Sequence, residues 1–273
     1  MLKKENFRLR RGDKEIVTGD ITFSEKPSRK VAVFIHGFKG FKDWGAHNLV
    51  ADYFALNSIN YVKFNFSLSG VNHDDPTDVT EMELFADNTP SIEMLDLKMI
   101  IDFVEDKFAS AQITLIGHSR GGGLGILTVA KDKRIHQLIT WAAIDSFSSL
   151  WKKEQENGWR KNGCIEVYNA RTQEYMPLNL TLLEDVEQNH DKLNIMNAAK
   201  NLDIPWLIIH GNEDVNVNVS VGKNFKAINP GAEFLEISHA NHVFGATHPY
   251  NENQLPEGLL TVCEASVTFI NEG

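Results

Sequence analysis

Cysteine is scarce: Cys164 and Cys263 are the only two in 273 residues. They lie far apart and match no metal-ligand spacing, and so low a count points to a reducing compartment, although a disulfide between them stays open. Long apolar runs are missing as well; none approaches the ~18 residues that a membrane span requires. The N-terminal stretch MLKKENFRLRRGDKE is charged and lacks the apolar core of about 7–15 residues found in a secretory signal. A soluble, cytoplasmic protein without a membrane partner is the expectation. Basic residues are outnumbered, 27 Lys and Arg against 37 Asp and Glu, for a net charge of −10 with no long block of one sign. Nucleic acid needs a basic face, so this balance argues against it as a partner. The acidity reads as ordinary solubility.

What the chain does have is the make-up of a globular protein: 42% hydrophobic and 23% charged residues, in a length able to bury a sizeable core. Residues 7–11 and 15–23 alternate apolar and polar around Gly12-Asp13, which predicts a β-hairpin. Val31 to Ile35 is an unbroken apolar strand, suited to a parallel sheet covered on both faces. A helix near 46–56 and a strand over 61–66 follow, then a long polar loop over 67–88. Thr89 reads as an N-cap with Pro90 at the first helical position. Ile92, Leu95, Met99 and Phe103 repeat at helical spacing to about Lys107. Further strands are expected over 113–116, 137–144, 205–210 and 233–237, with helices over 124–131, 219–227 and 255–271. Strand and helix alternate throughout, as in a doubly wound α/β domain with right-handed crossovers. The interval from Asp145 to Pro205 breaks the rhythm with about sixty residues and no buried strand, far beyond a normal connection. Residues 146–202 therefore read as a small inserted cap, with 1–145 and 203–273 forming the core. The insert's aromatics, Phe147, Trp151, Trp159, Tyr168 and Tyr175, are either a pocket roof or the insert's own core.

One stretch organises the rest. Ile113 to Ile116 runs into Gly117-His118-Ser119-Arg120-Gly121, and a helix-compatible segment follows. Gly-x-Ser-x-Gly between a strand and a helix is the sequence form of a nucleophile elbow, which lifts one serine above the sheet edge. A serine hydroxyl is a poor nucleophile at neutral pH and needs a base, which in turn needs an acid to orient it. In the elbow-type fold these follow in the order Ser, Asp or Glu, His. Asp214 lies just past one predicted strand and His242 just past the next, at the same sheet edge as Ser119, where open α/β sheets bind ligands. His239 and His248 compete with His242 for the base, and Asp145 and Glu213 compete with Asp214 for the acid. An oxyanion would need two preorganised N–H donors, expected from Arg120 and from the loop His36-Gly37-Phe38, at Phe38. The side chain of Arg120 reads as structural rather than as a substrate clamp. His36, His210 and His118 read as packing or loop-bonding residues, and Ser146, Ser148 and Ser149 as ordinary residues at the start of the insert.

With HGF at 36–38, GHSRGG at 117–122, HGNEDVNV at 210–217 and HANHVFG at 239–245, the chain resembles the α/β-hydrolase superfamily over nearly its whole length. It looks most like the bacterial branch of dienelactone-hydrolase-like proteins and cinnamoyl or feruloyl esterases. That resemblance implies an eight-stranded, mostly parallel sheet and hydrolysis of a small-molecule carboxylic ester by a serine carboxylesterase without a cofactor. It also implies Asp214 and His242 as triad partners of Ser119, and a cap that shapes the acyl or alcohol pocket. The chain departs from its relatives after Phe66, where Ser67-Leu68-Ser69-Gly70-Val71 replaces a glycine-rich turn with an acidic residue. Another acyl bond (thioester, amide, lactone or carbon–carbon), or a non-catalytic binding protein on the same fold, remains the alternative. Oligomeric state is left open.

Overall fold

Successive residues of a strand face opposite sides of a sheet, so an unbroken apolar run needs cover on both. In the computed structural model, which describes residues 1–11 and 16–273, that cover is present. Val31, Val33 and Ile35 enter one buried cluster, while Ala32 and Phe34 enter a second on the opposite face. In chain order the elements are β1 (Lys4–Arg10), β2 (Ile16–Thr22), β3 (Lys30–Ile35), α1 (His47–Leu56), β4 (Asn60–Asn65), α2 (Met82–Ala86) and α3 (Pro90–Lys107). Then come β5 (Gln112–His118), α4 (Arg120–Val129), β6 (Ile135–Trp141), α5 (Glu156–Asn162), β7 (Cys164–Asn169) and β8 (Glu174–Asn179). The chain ends with α6 (Leu180–Gln188), α7 (Ile195–Lys200), β9 (Trp206–Gly211), α8 (Ser220–Ile228), β10 (Glu233–Ile237) and α9 (Glu257–Glu272).

Eight strands form one sheet in the order β1-β2-β4-β3-β5-β6-β9-β10, antiparallel across β1-β2-β4 and parallel from β4 onward. Residues of α3, α4, α7 and α8 cover one face, and those of α1 and α9 the other. The β1–β2 hairpin pairs Arg10 with Ile16; its expected turn at Gly12-Asp13 lies outside the described residues. No described helix is long and apolar enough to cross a membrane.

Several expectations need correction. The loop over 67–88 is partly ordered by α2 and by a bridge between Val71 and Val79. Those two residues and Phe85 sink into a third apolar cluster with Phe41, Trp151 and Trp159. Five helical residues are too few for periodicity to register. The helix after the elbow begins at Arg120, not near 124. Three consecutive glycines are poor helix formers, but contact requires them small: a Cβ on Gly122 would lie 2.4 Å from that of Ala143. Within 146–202 there is a two-stranded antiparallel sheet, β7–β8. It is half-exposed, so its strands lack the apolar runs that mark the central ones.

The helix over 90–107 forms between the expected ends, with the Thr89 side chain accepting from the Ile92 amide. Its buried face is rotated from the expected one: Glu93, Asp96, Leu97, Ile100, Ile101 and Val104 are buried, whereas Leu95 is 49% exposed. The two buried acids account for the difference. Asp96 accepts from the amide and hydroxyl of Ser67 at 2.8 and 2.7 Å, and Glu93 pairs with Arg120.

A second buried charge group ties the loop after β3 to the sheet. Lys63, 1% exposed in β4, lies 2.8 Å from Asp20 of β2 and also pairs with Asp43. Lys42 joins both carboxylates, at 2.7 Å from Asp20. Removing one partner of a buried ionic group strands the others without compensation, at a cost of about 3–5 kcal/mol. Lys63→Met should therefore lower the unfolding free energy by about that amount in urea titration. A loss no larger than a surface substitution's would contradict this account.

Candidate active site

Ser119 sits in the one-residue corner between β5 and α4, with φ 54° and ψ −118°. A non-glycine residue there is strained, at an order of 1–3 kcal/mol, and persists only where its surroundings hold it. They do so here: the Ser119 amide donates to the Trp141 carbonyl at 2.8 Å, and its carbonyl accepts from Gly122 and Ile144 at 3.0 and 3.2 Å. The corner closes because a Cβ on Gly121 would lie 2.1 Å from the Ile35 carbonyl oxygen, and one on Gly117 2.3 Å from that of Gly121. Ser119 itself is 8% exposed.

Asp214 follows β9 and His242 follows β10, both at strand C-terminal ends. His242 Nδ1 is 2.7 Å from Asp214 Oδ2, and both residues lie largely out of solvent. The other Asp214 oxygen accepts from the amides of Asn216 and Val217, at 2.8 and 2.9 Å. Burial opposes ionisation of Asp214, but bonds from His210 and His242, the charge of His242 and the Val217 amide outweigh it. The carboxyl is held well below the usual range. With a carboxylate at Oδ2, a neutral imidazole donating from Nδ1 would present the Nε2 lone pair on its other side.

The link between the serine corner and the His242 loop runs through His118. Its Nε2 lies 2.8 Å from the His242 carbonyl oxygen, and the two imidazole rings are 4.8 Å apart. Burial, with His242 beside it, pushes His118 down to about 3, so it stays neutral. His210 does similar work for the acid loop, with Nε2 2.8 Å from the Val217 carbonyl and 3.4 Å from Asp214. These two holding roles were not legible beyond "packing or loop-bonding", because their partners lie far away in sequence or around a turn.

The competing candidates fall elsewhere. His239 is exposed and pairs with Glu213 at 2.8 Å, away from Asp214. His248 accepts from the Gly45 amide at 2.9 Å and packs among Phe41 and Trp44. Ser146 caps a 3-10 turn over Phe147–Leu150 by accepting from Ser148, and Asp145 lines a groove with Phe147 and Trp151. Of the insert's aromatics, Phe147 joins the main core, while Trp151 and Trp159 pack edge to face at 5.4 Å in the third cluster. Tyr168 and Tyr175 pair across β7–β8 with more than half of each exposed.

The loop His36-Gly37-Phe38 lies against the serine, since a Cβ on Gly37 would be 3.1 Å from Ser119 Cβ. The Gly40 amide closes a turn onto the Gly37 carbonyl at 3.1 Å, with Lys39 at φ 60°. Phe38 is the turn's second residue. Arg120 opens α4, so its amide has no carbonyl within the helix to bond. Its guanidinium is buried, with Nε 2.8 Å from Glu93 Oε2, in accord with a structural side chain.

No family model matches the chain. A curated Mycoplasma pneumoniae protein provisionally named esterase/lipase 1 is 28% identical over 60% of this chain and 71% of its own. Among solved structures, Est1E from Butyrivibrio proteoclasticus superposes with a TM-score of 0.70 at 14% identity, covering 98% of both chains. The same protein has also been solved with ferulic acid bound. Dienelactone hydrolase from Anabaena variabilis gives 0.65 at 12% identity, over 99% of this chain and 98% of its own. At such identities the likeness is one of fold, and the mostly parallel eight-stranded sheet flanked by helices agrees with it: this chain has the α/β-hydrolase fold.

Proposed function

We propose that the protein is a serine carboxylesterase that hydrolyses a small-molecule ester through an acyl-enzyme. The observation that carries the reading is the 2.7 Å bond from His242 to a buried, ionised Asp214, at the same sheet edge as a serine held in a strained corner. Ser119 Oγ attacks the acyl carbon while His242 Nε2 takes its proton, and Asp214 fixes the ring and stabilises the imidazolium. The carbonyl oxygen becomes an oxyanion, received by the N–H groups of Phe38 and Arg120. His242 returns the proton to the departing alcohol. Water, activated by the same imidazole, then attacks the acyl group and frees Ser119.

The interval 146–202 is the cap in this reading. Lys39 Nζ, beside Phe38, donates to the Tyr168 carbonyl at 2.8 Å, so β7 sits against the turn that would supply one oxyanion donor. Hydrolysis of p-nitrophenyl esters from acetate to octanoate tests the function, together with labelling by a serine-directed fluorophosphonate and mapping of the labelled residue. Turnover with label on Ser119 is expected. A protein that neither turns over nor labels would be a binding module on this fold.

A further inference from the structure

The reason for burying the Arg120 side chain is not supplied by the ester chemistry. An ion pair taken wholly out of water gains little over an apolar pair of the same size, yet Arg120 is 2% exposed and Glu93 3%. Burial pushes the Glu93 carboxyl upward, and Arg120 and Asn88 draw it back; the Asn88 amide donates to Glu93 Oε1 at 2.8 Å. Glu93 thus anchors one edge of the guanidinium. Arg120 Nε and Nη2 are both buried with no hydrogen-bond acceptor among the described residues, the Nε contact with Glu93 being an ion pair without hydrogen-bond geometry. The guanidinium also lies near enough to His36 to act on it by charge, and its Cζ is 5.5 Å from the centroid of the Phe38 ring, over which Lys39 Nζ sits as well at 5.4 Å. That ring also stacks on Phe85 at 5.5 Å. A cation stripped of water holds an aromatic ring more tightly than a solvated one does.

Arg120 therefore touches both ends of the proposed oxyanion hole. Its own amide is one donor, and its side chain grips the residue that carries the other. The Phe38 turn needs such a grip: it is a four-residue turn with a non-glycine residue at positive φ, joined to the insert through Lys39. We infer that Glu93 and the Arg120 side chain are positioning residues that fix the Phe38 N–H at the oxyanion by clamping the Phe38 ring. This rests on the esterase reading above.

A double-mutant cycle tests it. A small displacement of a catalytic group costs up to about 10²-fold in rate. Arg120→Met, similar in length but uncharged, should lower kcat for a p-nitrophenyl ester about 10- to 100-fold while KM moves less than about threefold. Phe38→Ala keeps the N–H but removes the ring. In that background Arg120→Met should cost little more, because the clamp has nothing to hold. Arg120→Lys, which keeps a cation, should recover part of the loss. Should Arg120→Met fail to fold, Glu93→Gln runs the same cycle with the arginine retained but its ionic anchor removed. Equal losses in both backgrounds, or no loss in either, would overturn the inference. Fluorophosphonate labelling of the wild type separates the levels. Label on Ser119 with a flat cycle defeats the clamp alone, whereas no label defeats the esterase reading and the clamp with it.

Discussion

Ser119→Ala is expected to lower kcat for a short p-nitrophenyl ester by at least about 10⁴-fold and to abolish fluorophosphonate labelling. The size of the effect follows from what is removed. Without the hydroxyl there is no acyl-enzyme, and what remains is whatever the oxyanion donors and binding give to direct attack by water. The substitution deletes one oxygen from a residue that is 8% exposed and held by backbone bonds to Trp141, Gly122 and Ile144. The fold should therefore survive it, and a melting temperature close to the wild type's is the control. The chain-length optimum of the wild type would at the same time size the acyl site. Equal rates in wild type and variant would refute Ser119 as the nucleophile.

Asp214→Asn should cost about 10⁴-fold in kcat with little change in the backbone around it. The amides of Asn216 and Val217 donate to one oxygen of residue 214. An asparagine placed there keeps its carbonyl on that side and turns its NH₂ toward His242. An NH₂ cannot accept from Nδ1–H, so the imidazole must take the other tautomer, with the proton on Nε2 and no lone pair for the Ser119 hydroxyl. The same substitution has a signature in stability. The Asp214 carboxyl is depressed in the folded protein against burial, chiefly by bonds from His210 and His242. A depressed folded value contributes stability that is fully present above the unfolded value of about 3.9 and is lost as pH falls through the folded one. The wild type's unfolding free energy minus the variant's should shrink as pH falls below about 4. Urea titrations at pH 5 and 3.5 would check it; a difference that does not shrink between them would contradict a depressed Asp214 carboxyl.

Much of this was legible in one dimension because it depends on neighbours in sequence. The cap Thr89-Pro90 and the apolar runs at 31–35 and 113–116 report local geometry and two-sided burial directly. The elbow is legible because a serine at φ 54° between clashing backbones tolerates only glycine at 117 and 121. On α3 the buried face departs from the expected one because charge is buried by distant partners. The buried stripe of α3 includes Glu93 and Asp96, which hydropathy assigns to solvent. Arg120 and Ser67, arriving from other elements, reverse that assignment. Lys63 is a similar case, a lysine in a central strand that is explained only by Asp20 across the sheet and Asp43 in the next loop.

By itself, the sequence determined the alternation of strands and helices, the elbow, and the order of serine, acid and histidine. The first two are written in residue types at short spacing, and the third in the order of candidate residues at successive predicted strand ends. Only the tertiary structure separates the candidate histidines by their partners. His239 and His242 are three residues apart on one loop, but Asp214 lies 2.7 Å from the second while the first faces solvent with Glu213. It also decided that His118 and His210 hold the loops, and that the Arg120 side chain is enclosed between Glu93 and Phe38. The physical reason is the same throughout. A hydrogen bond or a buried charge depends on where a partner from another part of the chain arrives, and that position is a property of the packed sheet and helices together.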